Sequence, residues 1–256
     1  MSEEIVLETA GLTKEFKGFV AVDDVSLRVR RGAIHALIGP NGAGKTTVFN
    51  LLTKFLAPTR GTIRYKGEDI TRIEPAQIAR RGVVRSFQIS AVFPHLTVLE
   101  NVRIALQRRL GTSFHFWRSE RTLDALNERA RALLAEVGLE DLAGIVTVEL
   151  PYGRKRALEI ATTLALEPEL MLLDEPTQGM GHEDVERVMR LIRKVSAGRT
   201  LLMVEHNMKV VAGVCDTITV LSRGSVLAEG SYAEVSADER VIEAYMGHAA
   251  QEPEHA

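Results

Sequence analysis

The chain has 256 residues, with 32 basic and 34 acidic side chains and a formal net charge of −2, so no global electrostatic pull draws it to nucleic acid or acidic lipid. Apolar residues make up 45% and charged residues 26%, an ordinary globular balance that excludes a disordered or fibrous chain. The length suits one large domain, or a core with a subdomain attached.

The N-terminal residues Met1, Ser2, Glu3 and Glu4 lack the basic and apolar regions of a secretory signal. No run approaches about 18 apolar residues, so nothing is expected to span a bilayer. Residues 5 to 32 alternate like strands: Val25, Leu27 and Val29 face one way, Ser26, Arg28 and Arg30 the other, and Arg31 and Gly32 make a turn. Phe16, just upstream of the first such pair, reads by itself as an ordinary core or turn aromatic. Residues 34 to 38 are wholly apolar apart from His35, as in a parallel strand covered on both faces.

The next eight residues, Gly39, Pro40, Asn41, Gly42, Ala43, Gly44, Lys45 and Thr46, fit the phosphate-binding pattern G-x-x-x-x-G-K-[ST] at every fixed position. Glycines let backbone N–H groups approach a triphosphate closely. Lys45 supplies a cation for the outer phosphates, and the Thr46 hydroxyl can coordinate magnesium, which prefers oxygen ligands. A helix follows through Thr47, directing its positive dipole end at the anion. Its apolar stripe is Val48, Leu51, Leu52 and Phe55, widened by Phe49 and Leu56. The motif in its strand–turn–helix frame predicts nucleoside triphosphate binding.

Ile63 and Tyr65 restore strand alternation, with a turn at Lys66 and Gly67. Residues 70–85 read as helix, and a solvated helix face accounts for most of Arg72, Arg80, Arg81 and Arg85. Residues 83–87 form a strand that ends at Gln88. Between about 90 and 165 the pattern is mainly helical. Thr97 and Glu100 have capping-box spacing, and Leu123, Leu126, Ala130, Leu133, Leu134 and Val137 form a stripe that stops at Gly138. Within it, Phe114, His115, Phe116 and Trp117 are either local packing or a partner-contact patch.

Residues 170–173 are an apolar strand closed by Asp174 and Glu175. Val185, Val188, Met189, Ile192 and Val195 mark a helix ending at Gly198. Residues 200–204 form another strand, closed by Glu205 and His206. Apolar strands alternating with helices argue for parallel crossover units in a doubly wound sheet. Strands at 217–221 and 226–228 flank an Arg223–Gly224 turn, and residues 251–256 read as a frayed polar end. Cys215, the only cysteine, excludes an intramolecular disulfide and suits a reducing compartment. In its apolar stretch it reads as a small buried hydrophobe.

Acids at a core strand end stand where α/β sheets place their ligands. There Asp174 can hold magnesium through water, and Glu175 can orient and deprotonate an attacking water. His206 closes the next strand and can reach the γ-phosphate. The Gln88 amide can bind the metal or the lytic water, and can report nucleotide state to the helical insert.

These motifs, in this order, resemble the ATP-binding subunits of ABC transporters over essentially the whole chain. Residues 39–46 resemble the Walker A loop, 170–175 the Walker B strand, Gln88 the Q-loop and His206 the switch histidine. Leu150, Pro151, Tyr152, Gly153 and Arg154 fall at the signature loop, and the resemblance makes Phe16 the aromatic that stacks on adenine. Within the family the chain is most similar to the ATPases of branched-chain amino-acid importers. That likeness is carried by Arg85-Ser86-Phe87-Gln88, Phe93-Pro94-His95-Leu96-Thr97-Val98-Leu99-Glu100-Asn101-Val102, Leu158-Glu159-Ile160-Ala161, Val204-Glu205-His206-Asn207-Met208 and Ile242-Glu243-Ala244-Tyr245-Met246-Gly247. Urea and amide importers and the lipopolysaccharide-export ATPase resemble the same pattern.

The resemblance implies an α/β P-loop NTPase core with a parallel doubly wound sheet, an N-terminal antiparallel β-subdomain and an inserted helical subdomain at about 89–166. These form one ATPase domain over 5–248, followed by a short polar tail at 249–256. It implies ATP and Mg2+ as cofactors, with Thr46, Gln88 and Asp174 on the metal, and catalytic roles for Lys45, Gln88, Glu175 and His206. It further implies a second ATPase subunit whose ATP meets Pro151, Tyr152, Gly153 and Arg154, membrane permease subunits, and a periplasmic or extracellular solute-binding protein reached indirectly. No nucleic acid is expected, and the expected location is the cytoplasmic face of the membrane, as a peripheral subunit. Two departures bear on the partner-facing half-site: Pro151 replaces the signature serine, and Gly181 stands where the family usually has an aspartate. The rival readings are a soluble ABC-type ATPase acting on ribosomes, DNA or protein clusters, and a nucleotide-binding subunit with weak catalysis.

Overall fold

The computed structural model describes residues 4–86, 92–110 and 124–249; Gln88 and the cluster at 114–117 lie outside them. The N-terminal part runs β1 (Ile5–Phe16), β2 (Phe19–Val25), β3 (Arg28–Arg30), β4 (Ile34–Ile38), α1 (Lys45–Leu52), β5 (Arg60–Tyr65), β6 (Glu68–Asp69), α2 (Pro75–Arg80) and β7 (Val83–Ser86). The helices α3 (Val98–Leu110), α4 (Asn127–Val137) and α5 (Tyr152–Leu164) follow. The chain then returns through β8 (Leu170–Asp174), α6 (His182–Val195), β9 (Thr200–Val204), α7 (Met208–Val214), β10 (Thr217–Ser222), β11 (Ser225–Gly230), α8 (Tyr232–Ala237) and α9 (Glu239–Ala249).

Two sheets result. One has the order β2-β1-β5-β6 with β3 also on β1, and its pairings are antiparallel. The other has the order β11-β10-β4-β9-β8-β7, parallel from β10 to β7, with β11 an antiparallel edge strand. The apolar strands require cover on both faces, and they receive it. Ile34, Ala36 and Ile38 of β4 pack with α4–α7, whereas Leu37 packs with α1 and the N-terminal sheet. Helices α3, α4 and α5 pack on one another as the insert. Its entry is fixed by the Thr97–Glu100 capping box: the Thr97 amide and hydroxyl donate to Glu100 Oε2, and the Glu100 amide donates to Thr97 Oγ1. Gly138 ends α4 in the left-handed conformation, as its sequence position suggested.

Three local expectations need correction. The helix after the phosphate loop stops at Leu52, because Thr53 turns its hydroxyl onto the Phe49 carbonyl and Lys54 takes a positive φ of 66°. Phe55 therefore leaves the stripe and is 56% exposed. Residues 70–85 are not one helix: Asp69 accepts from the Thr71 amide in a turn, and Pro75 starts a helix that Gly82 (φ 91°) ends. Arg85 consequently lies on a core strand, not on a helix face.

His35 is the polar exception in β4. Its Nε2 lies 2.8 Å from the Thr219 hydroxyl, which itself donates to Glu229. Burial, aided by the charge of Arg30, lowers its pKa to about 4. The unfolded chain therefore binds this proton first as pH falls, and stability present above about pH 6.5 is lost down to about pH 4, by about 3 kcal/mol in total. Urea unfolding at pH 7 and pH 5 checks this. His35→Gln is expected to flatten the slope between those values, and an unchanged slope would exclude His35 as its source.

Candidate functional site

Because β4, β9, β8 and β7 are adjacent and parallel, their C-terminal ends share one edge. The segments leaving β4, β9 and β8 carry the phosphate motif, Glu205 with His206, and Asp174 with Glu175. The topology thus brings together Lys45, Thr46, Asp174, Glu175 and His206, which sequence spacing had singled out.

Within the phosphate loop, backbone packing dictates the glycines. A Cβ on Gly39 would stand 2.2 Å from the Leu221 carbonyl oxygen, and one on Gly44 would stand 2.6 Å from that of Ala21. The Ala43 amide closes the loop by donating to Pro40. Lys45 Nζ curls over it, donating to the carbonyls of Gly39 at 2.7 Å and Pro40 at 2.9 Å. Burial lowers the Lys45 pKa, and the nearby Glu175 carboxylate opposes that shift. Asn41, Gly42 and Thr46 face solvent, while Thr47 is half-buried.

At the end of β8 the Asp174 carboxylate accepts from Arg85, whose other terminal nitrogen donates to Asn50 Oδ1 at 2.7 Å. Glu175 adopts a positive φ of 43°, with its amide donating to the Val204 carbonyl at 3.0 Å. The His206 side chain is 55% exposed, and its Nδ1 lies 3.9 Å from Glu205 Oε2.

Sequence reasoning missed two organisers of this edge. Glu205 is fully buried and accepts from the Thr177 amide and hydroxyl and from the amides of His206 (2.8 Å) and Asn207 (3.0 Å). One carboxylate so ties the loop after β8 to the loop after β9. Its sequence signal was an acid at a strand end, overshadowed by the adjacent histidine. Arg85 is the second, and its signal was dispersed among neighbouring arginines.

The segment at the start of α5 meets the loop after β8. Pro151 caps α5, and the Tyr152 hydroxyl donates to the Gln178 carbonyl at 3.0 Å. Gly153 is packed so closely that a Cβ would stand 2.7 Å from Asp184 Oδ1. Arg154 points to the Gly138 carbonyl at 2.7 Å and caps α4. Phe16 is 41% exposed beside the turn into β2, with Lys14 Nζ 5.0 Å from its ring.

Among the described residues, no group of three or more His, Cys, Asp and Glu could hold a metal by itself. Magnesium does not need one, since one carboxylate plus nucleotide phosphates serve it. The oxygens of Thr46 and Asp174 fit that chemistry.

Residues 22–178 match the family described as "ABC transporter", and residues 225–251 match "Branched-chain amino acid ATP-binding cassette transporter". A crystal structure of the ADP conformation of an ATP-binding cassette of an ABC transporter is similar with a TM-score of 0.84 and 31% identity, covering 95% of this chain and 99% of that one. A nucleotide-free cassette from an ABC transporter aligns with a TM-score of 0.82 and 30% identity over 94% of this chain and 98% of its own. The chain is thus an ATP-binding cassette of the ABC transporter class. The high-affinity branched-chain amino acid transport ATP-binding protein BraF of Pseudomonas aeruginosa is 41% identical over 95% of this chain and 98% of its own. LivG of Escherichia coli, of the same description, is 39% identical over the same shares. The chain belongs to this branched-chain amino acid branch of the ABC transporter ATP-binding proteins.

Removing the Glu205 carboxylate would strand the donors of Thr177, His206 and Asn207. Glu205→Ala is expected to cost about 3 kcal/mol in denaturant unfolding and to weaken nucleotide binding. A loss below about 1 kcal/mol would remove Glu205 from this organising role.

Proposed function

We propose that this ATPase powers import of branched-chain amino acids, working as a peripheral subunit on the cytoplasmic face of the membrane. The observation that carries the mechanism is the convergence of the phosphate loop, Asp174, Glu175 and His206 on one sheet edge. The substrate class is supported by the match of residues 225–251 and by the names of the relatives. We read residues 5–248 as a single ATPase domain, with the helical subdomain at about 89–166 inserted in the core and 249–256 as a tail.

In this reading Phe16 stacks on adenine, while Pro40 shapes the turn and backbone amides of Gly39, Asn41, Gly42, Ala43, Gly44, Thr46 and Thr47 cradle the phosphates. Lys45 exchanges its two carbonyl acceptors for phosphate oxygens. Thr46, Asp174 and Gln88 hold Mg2+, which when bound neutralises charge developing on the β- and γ-phosphates. Glu175 orients and deprotonates the attacking water, and His206 donates to the γ-phosphate. Positioned charge, rather than covalent chemistry, supplies most of the rate.

A second ATPase subunit completes each site by presenting its signature loop, at Pro151, Tyr152, Gly153 and Arg154. With no hydroxyl at Pro151 and no carboxylate at Gly181, that contribution falls to backbone N–H groups at the start of α5 and to Arg154. For Arg154 this requires release from the Gly138 carbonyl. Membrane permease subunits dock in the groove of about 650 Å³ between α2, β7, α3 and α5, whose lining includes exposed Phe55 and Phe93. An external solute-binding protein acts through the permease.

Glu175→Gln is expected to bind ATP with near-native affinity and to lose at least about 100-fold in kcat. Unchanged hydrolysis would displace Glu175 as the base. Purification from membranes in mild detergent should recover hydrophobic permease subunits together with this chain. Recovery of soluble partners alone would instead favour an ATPase outside transport.

A further inference from the structure

Asp174 is gripped twice. Its carboxylate accepts from Arg85 of β7, and its main-chain carbonyl accepts from Arg156 Nη2 of α5 at 2.9 Å. Arg156 Nη1 in turn donates to Glu159 Oε2 at 2.5 Å, one helical turn along. The two side chains are 4% and 1% exposed.

This pair is expensive for a helix–strand contact. Removing two charges from water costs several kcal/mol before their attraction returns any of it. Glu159 Oε1 has no partner, and burial pushes the carboxyl up to about 7 even beside Arg156. The neighbouring positions Ala157, Leu158, Ile160 and Ala161 are all buried in the apolar core. Packing alone therefore gives no reason for charge at 156 and 159, whereas position does. Arg156 stands one turn into the helix that begins at the signature loop, and its guanidinium grips the strand end that carries the metal-side carboxylate. A planar guanidinium can bond the carbonyl and Glu159 at once, which a lysine ammonium cannot reproduce with fixed geometry.

We propose that Arg156, aimed by Glu159, is a positioning residue that couples the end of the Walker B strand to the signature helix of the same chain. The position that Asp174 takes in the nucleotide-loaded site would thereby set the pose in which α5 offers its signature loop to the partner's nucleotide. The Asp174 carboxylate keeps its own partner, Arg85, so loss of Arg156 leaves nucleotide binding in place and breaks the coupling. The inference rests on Asp174 and Glu175 being the hydrolytic end of the site, as proposed above.

The test uses the full chain as wild type, Arg156→Met, Glu159→Gln and Glu175→Gln. Binding of a fluorescent ATP analogue with Mg2+, ATPase kinetics and hydrogen–deuterium exchange are measured on each. Arg156→Met is expected to bind the analogue within about threefold of wild type, to keep KM within about threefold, and to lose at least about tenfold in kcat. On adding Mg2+ and ATP, wild type should gain protection at both 170–178 and 150–160, and Arg156→Met only at 170–178. An unchanged kcat, or persisting protection at 150–160, overturns the proposal. Parallel loss of binding, melting temperature and kcat also overturns it, since that pattern marks a structural brace. Should Arg156→Met fail to fold, Glu159→Gln, which leaves the Asp174 contact in place, must still show a fall in kcat greater than its fall in affinity. Equal falls, or none, overturn the coupling. Wild type without ATPase activity, or Glu175→Gln with full turnover, would instead overturn the underlying site assignment.

Discussion

The structure turns on the closeness with which backbone approaches backbone around the phosphate loop. Gly39 lies against the Leu221 carbonyl at the end of β10, and Gly44 against that of Ala21 in β2. The turn between β10 and β11 completes the enclosure: the Gly224 amide donates to Ala43, and its carbonyl accepts from the Asp23 amide. One loop is thus wedged between the parallel core and the antiparallel N-terminal sheet. The subdomains are locked where the triphosphate would sit, so the loop is preorganised and its amides need little ordering when an anion arrives.

Charge is distributed on the same economy. Lys45, Asp174 and Glu205 would each be costly to bury alone, and each is satisfied by a different device. Backbone carbonyls hold Lys45, a guanidinium holds Asp174, and Glu205 gathers amides and a hydroxyl from two loops. These fixed partners leave the exposed groups, Thr46 and His206, free to face an incoming nucleotide.

Most of the sheet edge was legible in the sequence, because its signals are local. An apolar run of strand length followed by a glycine or an acid marks a buried parallel strand and its exit, and this holds at residues 34–39, 170–175 and 200–206. Helix ends were less legible. Phe55 and Leu56 continue the periodicity of α1, yet the backbone reverses at Lys54, which no spacing rule signals. Arg85 and Glu205 stayed hidden for a different reason. Their meaning lies in partners 89 and 28 residues away, and a run of arginines or an acid beside a histidine looks the same whether solvated or buried.

The departures at Pro151 and Gly181 gain a physical context from the contacts around them. Tyr152, not the residue before it, ties this segment to the loop after β8, and Gly153 is pinned by the absence of room beside Asp184. A proline ahead of α5 fixes φ and requires no donor, so it pre-sets the first turn without competing for those contacts. Gly181 occupies open space at the cap of α6, where an added Cβ would meet nothing within 4 Å among the described residues. Both positions thus give up side-chain chemistry while the backbone and its neighbours remain fixed. In the assembly proposed above, the half-site offered to a partner consists of helix-start amides and Arg154 on a rigid mount. Its strength there depends more on how firmly α5 is held than on the side chains at 151 and 181.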